Sequence, residues 1–129
     1  VKLVVTIITF LIVDDSVSYR TLLRQLVQAQ GNWSVVGEAA DGVEAVKLAL
    51  RFAPDVVLMD VTLPLMNGIE ATRRIKHAAQ KTHILVLSGY DEEEFRRESL
   101  LAGADYYLRK EDLDVELIKQ LVAALFPSE

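Results

Sequence analysis

Cysteine is missing from all 129 residues, which removes disulfide frameworks, thiolate metal sites and cysteine nucleophiles from consideration. Proline and glycine are scarce, at 3 and 6 residues, and no Gly-, Ser- or Pro-rich stretch marks a linker or a low-complexity tract. Positive charge is in deficit. Fourteen Lys+Arg stand against 19 Asp+Glu, a net charge of -5, so the chain has no general attraction for a polyanion and direct nucleic-acid binding is not expected. A membrane-length hydrophobic run is also lacking. The apolar stretch over residues 1–13 carries Lys2 and stops at Asp14-Asp15. That is short of the about 20 residues a spanning helix needs, and two aspartates stand where a secretory signal would place small residues for cleavage.

What is present suits one folded domain. The hydrophobic share of 51% and the charged share of 26% are those of a chain with a compact core, and the length fits the usual prior of about 100–200 residues per domain. Short apolar runs at 10–13, 33–37, 56–59, 84–87 and 106–108 alternate with amphipathic stretches. Val17, Leu22, Leu23, Leu26 and Val27 repeat at helical spacing, with Gly31 as a stop. Asp41 ahead of Gly42-Val43-Glu44 reads as a cap for a second helix that ends before Pro54. Ile69, Ile75 and Ala79 mark a third. Asp91 with Glu94 caps a fourth, in which Phe95, Leu100 and Leu101 are expected to face inward. Leu117, Ile118, Leu121, Val122 and Leu125 form a fifth, ended by Pro127.

Five strand-then-helix units predict an α/β fold, a parallel sheet covered by helices on both faces. The runs at 10–13, 56–59 and 84–87 lack alternation and belong in the middle of the sheet, whereas Val35-Val36-Gly37-Glu38 is more polar and belongs at an edge beside Trp33. This is the flavodoxin-like three-layer arrangement, a five-stranded sheet in the order 2-1-3-4-5 with five helices, whose ligands gather beyond the carboxyl ends of the strands. Residues 1–9 exceed what a first strand needs and are treated as an apolar extension, with the domain itself over 10–126. His77 and His83 have no metal-ligand constellation around them and are expected at the surface.

The strand ends carry the chemistry. The first run ends in Asp14-Asp15 and the third in Asp60. Three carboxylates at adjacent strand ends repel one another, and a small hard cation such as Mg²⁺ offsets that. Ser88 after the fourth run and Lys110 after the fifth add a hydroxyl and an ammonium to the same rim, the parts that bind a tetrahedral dianion opposite a metal. A carboxylate there can act as a nucleophile toward phosphorus.

With FLIVDD (10–15), DVVLMD (55–60), VTLPLMNG (61–68), LVLSG (85–89) and AGADYYLRK (102–110) in this order, the chain resembles the receiver domains of two-component response regulators. The last segment is most similar to the subgroup whose full-length members carry a helix-turn-helix output domain. The resemblance implies that Asp60 is the phosphoacceptor for a sensor histidine kinase or a phosphotransfer protein. It implies that Asp14, Asp15, Asp60 and the backbone carbonyl of Thr62 hold Mg²⁺, and that Lys110 and Ser88 bind phosphoryl oxygens. Tyr107 stands at the aromatic switch position. Thr62 and Tyr90 stand where the family tunes access of hydrolytic water, and Pro64 and Gly68 match its loop pattern. Glu111 follows the lysine where many relatives have proline.

The resemblance further implies a cytoplasmic signalling switch rather than an enzyme. Its output would be partner binding or homodimerisation through the face of the fourth helix, fifth strand and fifth helix. Three alternatives compete. A haloacid-dehalogenase-type phosphatase also uses a strand-end aspartate with Mg²⁺, but Asp60-Val61-Thr62 lacks the second aspartate that serves such enzymes as acid and base. A receiver-like interaction module that is never phosphorylated is disfavoured because every site residue type is present. A flavodoxin-like FMN binder fits the fold but not Asp14-Asp15, which would repel the phosphate.

Overall fold

The runs without alternation, buried on both faces, become the middle of a sheet. A computed structural model describes residues 6–90 and 92–127. Among these, β1 (Ile8–Val13), β2 (Trp33–Ala39), β3 (Val56–Asp60), β4 (His83–Ser88) and β5 (Tyr106–Arg109) alternate with helices. The helices are α1 (Val17–Gln28), α2 (Gly42–Phe52), α3 (Gly68–Ala78), α4 (Glu93–Leu101) and α5 (Val115–Leu125). All pairings are parallel, and the order is β2-β1-β3-β4-β5, as the sequence predicts. β2 lies at the edge, where Trp33 packs its ring 4.9 Å from that of Phe10. β1 takes in Ile8 and Thr9 from the apolar extension, while residues 1–5 lie outside the described residues.

Alternation along the central strands divides their side chains between two cores. Leu11, Val13, Val57, Met59, Ile84 and Val86 face Ala45 and Ala49 of α2 and Ala71 and Ile75 of α3. Phe10, Ile12, Val56, Leu58, Leu85 and Leu87 face Leu23 and Val27 of α1 and Ile118 and Val122 of α5. All of these side chains are buried, so both sheet faces are covered.

Capping follows residue chemistry, the side-chain oxygen of each cap accepting a first-turn N–H. Ser16 accepts from Tyr19, Asp41 from Glu44, Asn67 from Glu70 and Asp114 from Leu117. The cap expected at Asp91 lies outside the described residues; α4 begins at Glu93 after Glu92, which makes no side-chain cap bond.

Several sequence expectations change. Leu100 and Leu101 are 41% and 76% exposed instead of facing inward. The inward stripe of α4 runs through Phe95 and Ser99 to the C-cap Ala102, four and three residues apart, and the two leucines fall outside it. On α1, Val17 and Leu22 point to solvent for the same reason. That helix ends at Gln28, ahead of Gly31. His77 is exposed as expected, but His83 is half-buried. Its Nδ1 lies 3.1 Å from Asp105 Oδ1, and its ring meets that of Phe126 edge-on. Past Lys110 the chain makes a 3-10 turn over Lys110–Asp112.

α2 ends on Ala53, held at φ 44 in the left-handed region just before Pro54, which disfavours further helix. A non-glycine residue there costs about 1–2 kcal/mol, partly offset by the extra unfolded-state freedom of glycine. Ala53→Gly is therefore expected to raise stability by about 0.5–1 kcal/mol, and urea denaturation checks it. A lower midpoint at unchanged slope contradicts the strained cap.

Candidate functional site

Because β1 and β3 are neighbours and run the same way, the residues after Val13 and Met59 emerge side by side. Asp14 and Asp60 are 1% and 6% exposed, whereas Asp15 is exposed. One oxygen from each of the three carboxylates lies within 4.8 Å of the others. Lys110, arriving from β5, brings its Nζ to 2.6 Å from Asp14 Oδ2 and 3.5 Å from Asp60 Oδ2. The other oxygen of Asp14 accepts the Ser16 N–H at 2.8 Å.

One ammonium against three carboxylates leaves negative charge uncompensated. Burial, then the charge of Asp14, push the Asp60 carboxyl up from 3.8 to about 6, even though Lys110 and the Thr62 backbone N–H favour its ionised form. The donors are oxygens of closely set carboxylates, the set preferred by a hard divalent cation. The residues present therefore fit Mg²⁺.

The loop that presents Asp60 is set by backbone contacts. A Cβ on Gly68 would sit 1.8 Å from the Asp60 carbonyl oxygen, so only glycine allows α3 to start this close to the strand end. The Gly68 N–H bonds the Val61 carbonyl at 2.8 Å, and the Met66 N–H bonds the Pro64 carbonyl at 2.7 Å. The second bond closes a three-residue turn around Leu65, whose φ is 68.

Ser88 and Tyr107 form a second group, joined through Tyr90. The Ser88 hydroxyl, fully buried, accepts the Tyr90 N–H at 3.1 Å. The Tyr107 hydroxyl donates to the Tyr90 carbonyl at 3.0 Å, and the residue is 8% exposed, packed into the core. The sequence-predicted residues thus fall into an anionic cluster of Asp14, Asp15, Asp60 and Lys110 and a neighbouring hydroxyl pair. Thr62 meets the first through its N–H.

Two residues of α1 were not anticipated. The Tyr19 ring centroid lies 4.3 Å from Lys110 Nζ. Arg20 donates to the Asp14 carbonyl at 2.6 Å while pairing with Glu38 of β2 at 3.4 Å. An aromatic at helical spacing reads as core. The available signal was its place in the first helical turn after two strand-end aspartates.

With this geometry in view, the model of the response regulator receiver domain family matches residues 10–122. The chain belongs to that family. This receiver domain is 42% identical over 111 residues to the uncharacterized transcriptional regulatory protein YxjL of Bacillus subtilis, covering 86% of this chain and 51% of YxjL. It spans about half the length of the transcriptional regulators it matches. Among solved structures, the receiver domain of the putative response regulator NarL from Mycobacterium tuberculosis superposes with a TM-score of 0.87 at 27% identity. That superposition covers 95% of this chain and 99% of the other. The Borrelia burgdorferi CheX–CheY–BeF3–Mg²⁺ complex superposes with a TM-score of 0.85 at 29% identity, covering 94% and 90%. Among the described residues no helix is long and apolar enough to cross a membrane.

The raised pKa makes Asp60 a liability to this receiver domain without metal. A carboxyl whose folded pKa exceeds its unfolded value favours the fold when protonated, so ionisation lowers stability as pH rises from about 4 to about 6 and the cost is complete above that. In metal-free buffer at pH 7.5, Asp60→Asn is expected to be about 2–3 kcal/mol more stable than the native chain, with the gain shrinking below about pH 6 and lost at about pH 4. Denaturant curves at pH 7.5 and at about pH 4 check this, and equal stability at pH 7.5 contradicts it.

Proposed function

We propose that the protein is a phosphorylation-dependent signalling switch whose phosphoacceptor is Asp60. The observation that carries this is the convergence of three carboxylates within 4.8 Å around a buried strand-end aspartate, with a lysine ammonium reaching two of them. Asp14, Asp15, Asp60 and the Thr62 carbonyl would hold Mg²⁺, which when bound neutralises charge on the oxygens of the group in transfer. The CheY complex solved with BeF3 and Mg²⁺ supports this for a chain of the same fold.

The chain's own residues do the rest. An oxygen of the Asp60 carboxylate attacks the phosphorus of a phosphohistidine on a sensor histidine kinase or a phosphotransfer protein. The new O–P bond forms as the N–P bond breaks, and the imidazole leaves with the electron pair. Lys110, already between Asp14 and Asp60, pairs with a phosphoryl oxygen. Ser88 lets go of the Tyr90 N–H and donates its hydroxyl proton to a second phosphoryl oxygen, and because Tyr107 holds the carbonyl of Tyr90, the change reaches the ring on β5. The affected surface is the α4–β5–α5 face, through which the protein would bind a partner or a second copy in the cytoplasm. No small-molecule turnover is expected beyond slow loss of its own phosphoryl group.

Incubation with Mg²⁺ and a small acyl phosphate, followed by intact-mass measurement, tests the reading. The native chain should gain about 80 Da, the mass of one phosphoryl group, and Asp60→Asn should gain nothing. An equal adduct on both moves the acceptor elsewhere, and no adduct on either favours a module that is never phosphorylated. Mg²⁺ alone should also raise the melting temperature of the native chain, by about 2.7 kcal/mol of stabilisation at a hundredfold excess over its Kd. An unchanged melting temperature counts against the metal site.

A further inference from the structure

A lysine stem is four flexible carbons long and has many rotamers, so something must keep the Lys110 ammonium where it is. Asp14 holds it closely and Asp60 loosely. The side chain is 22% exposed, which leaves water as a competitor. On a further side the ammonium lies over the Tyr19 ring, 4.3 Å from the centroid, well inside the about 6 Å range of a cation–π contact. The ring stands on a fixed base, since the Tyr19 N–H is bonded to the Ser16 cap. Its hydroxyl is buried without a hydrogen-bond partner, so the phenol oxygen does not anchor it. Burial and the charges of Asp14 and Asp60 push the phenol up to about 12, and the ring stays neutral.

We propose that Tyr19 is a positioning residue for Lys110, its ring face holding the ammonium over the gap between Asp14 and Asp60. The inference rests on the reading of Asp60 as phosphoacceptor. Pairing with a phosphoryl group on Asp60 requires the ammonium to pivot away from Asp14, and the ring gives it a surface to pivot on without release to solvent. The π face is the working part, so phenylalanine should replace tyrosine and an aliphatic side chain should not.

Two measurements on the native chain, Tyr19→Phe and Tyr19→Leu decide it. In metal-free protein with isotope-labelled lysine, the Lys110 ε-methylene resonance, identified by its loss in Lys110→Arg, should lie upfield in the native chain and Tyr19→Phe through the ring current. In Tyr19→Leu it should return to the ordinary lysine position. With saturating Mg²⁺ and a small acyl phosphate, Tyr19→Phe should be phosphorylated at the native rate and Tyr19→Leu about three- to tenfold more slowly. A lysine resonance in Tyr19→Leu that keeps its native position, or a rate loss in Tyr19→Phe equal to that in Tyr19→Leu, overturns the proposal. Should Tyr19→Leu fail to fold, Tyr19→Met repeats both measurements with bulk but no π face. A native chain that takes up no phosphoryl group overturns the phosphoacceptor reading, whereas the resonance comparison still decides the role of Tyr19.

Discussion

The structure turns on an excess of negative charge that the fold itself creates. A parallel sheet in the order β2-β1-β3-β4-β5 delivers the ends of β1 and β3 to the same place, and both end in aspartate. Hydrophobic packing of both sheet faces supplies the free energy that tolerates this crowding. The two cores fix the strands, the strands fix the carboxylates, and one lysine from the far end of the chain partly compensates them. What remains uncompensated is negative charge around Asp60, in a group of three carboxylates that fits a hard cation.

Support for the anionic cluster comes from its surroundings more than from its members. Arg20 ties the Asp14 carbonyl to Glu38 on β2, and Glu38 is also held by Arg24 at 2.7 Å. Glycine at position 68 lets a helix begin against the Asp60 carbonyl. At the opposite end of the sheet, Asp105 accepts the Ile84 N–H at 2.8 Å and pairs with Lys76 and His83. The start of β5 is thereby fixed to that of β4, and with it the line along which Lys110 arrives.

Much of this was legible in the sequence, for reasons that differ by residue. The runs at 56–59 and 84–87 could not be amphipathic, so they had to be central, and order and edge followed. That Asp14, Asp15, Asp60 and Lys110 come together was legible because strand ends converge whatever the details of packing. α4 was misread at Leu100 and Leu101 because its inward stripe is built from one phenylalanine, one serine and one alanine, and hydrophobicity alone picks the wrong residues. Tyr19 and Arg20 were missed because their roles depend on where the strand-end loops cross the first turn of α1. The contact of the Tyr107 hydroxyl with a backbone carbonyl is likewise a tertiary fact with no local pattern behind it.

The double hold on Tyr90 has a mechanical corollary. Its N–H is bonded to Ser88 and its carbonyl to Tyr107, and only two soft torsions separate those groups. The two grips are therefore separated by a single α-carbon. Releasing the first grip leaves the buried Ser88 hydroxyl in want of a new partner.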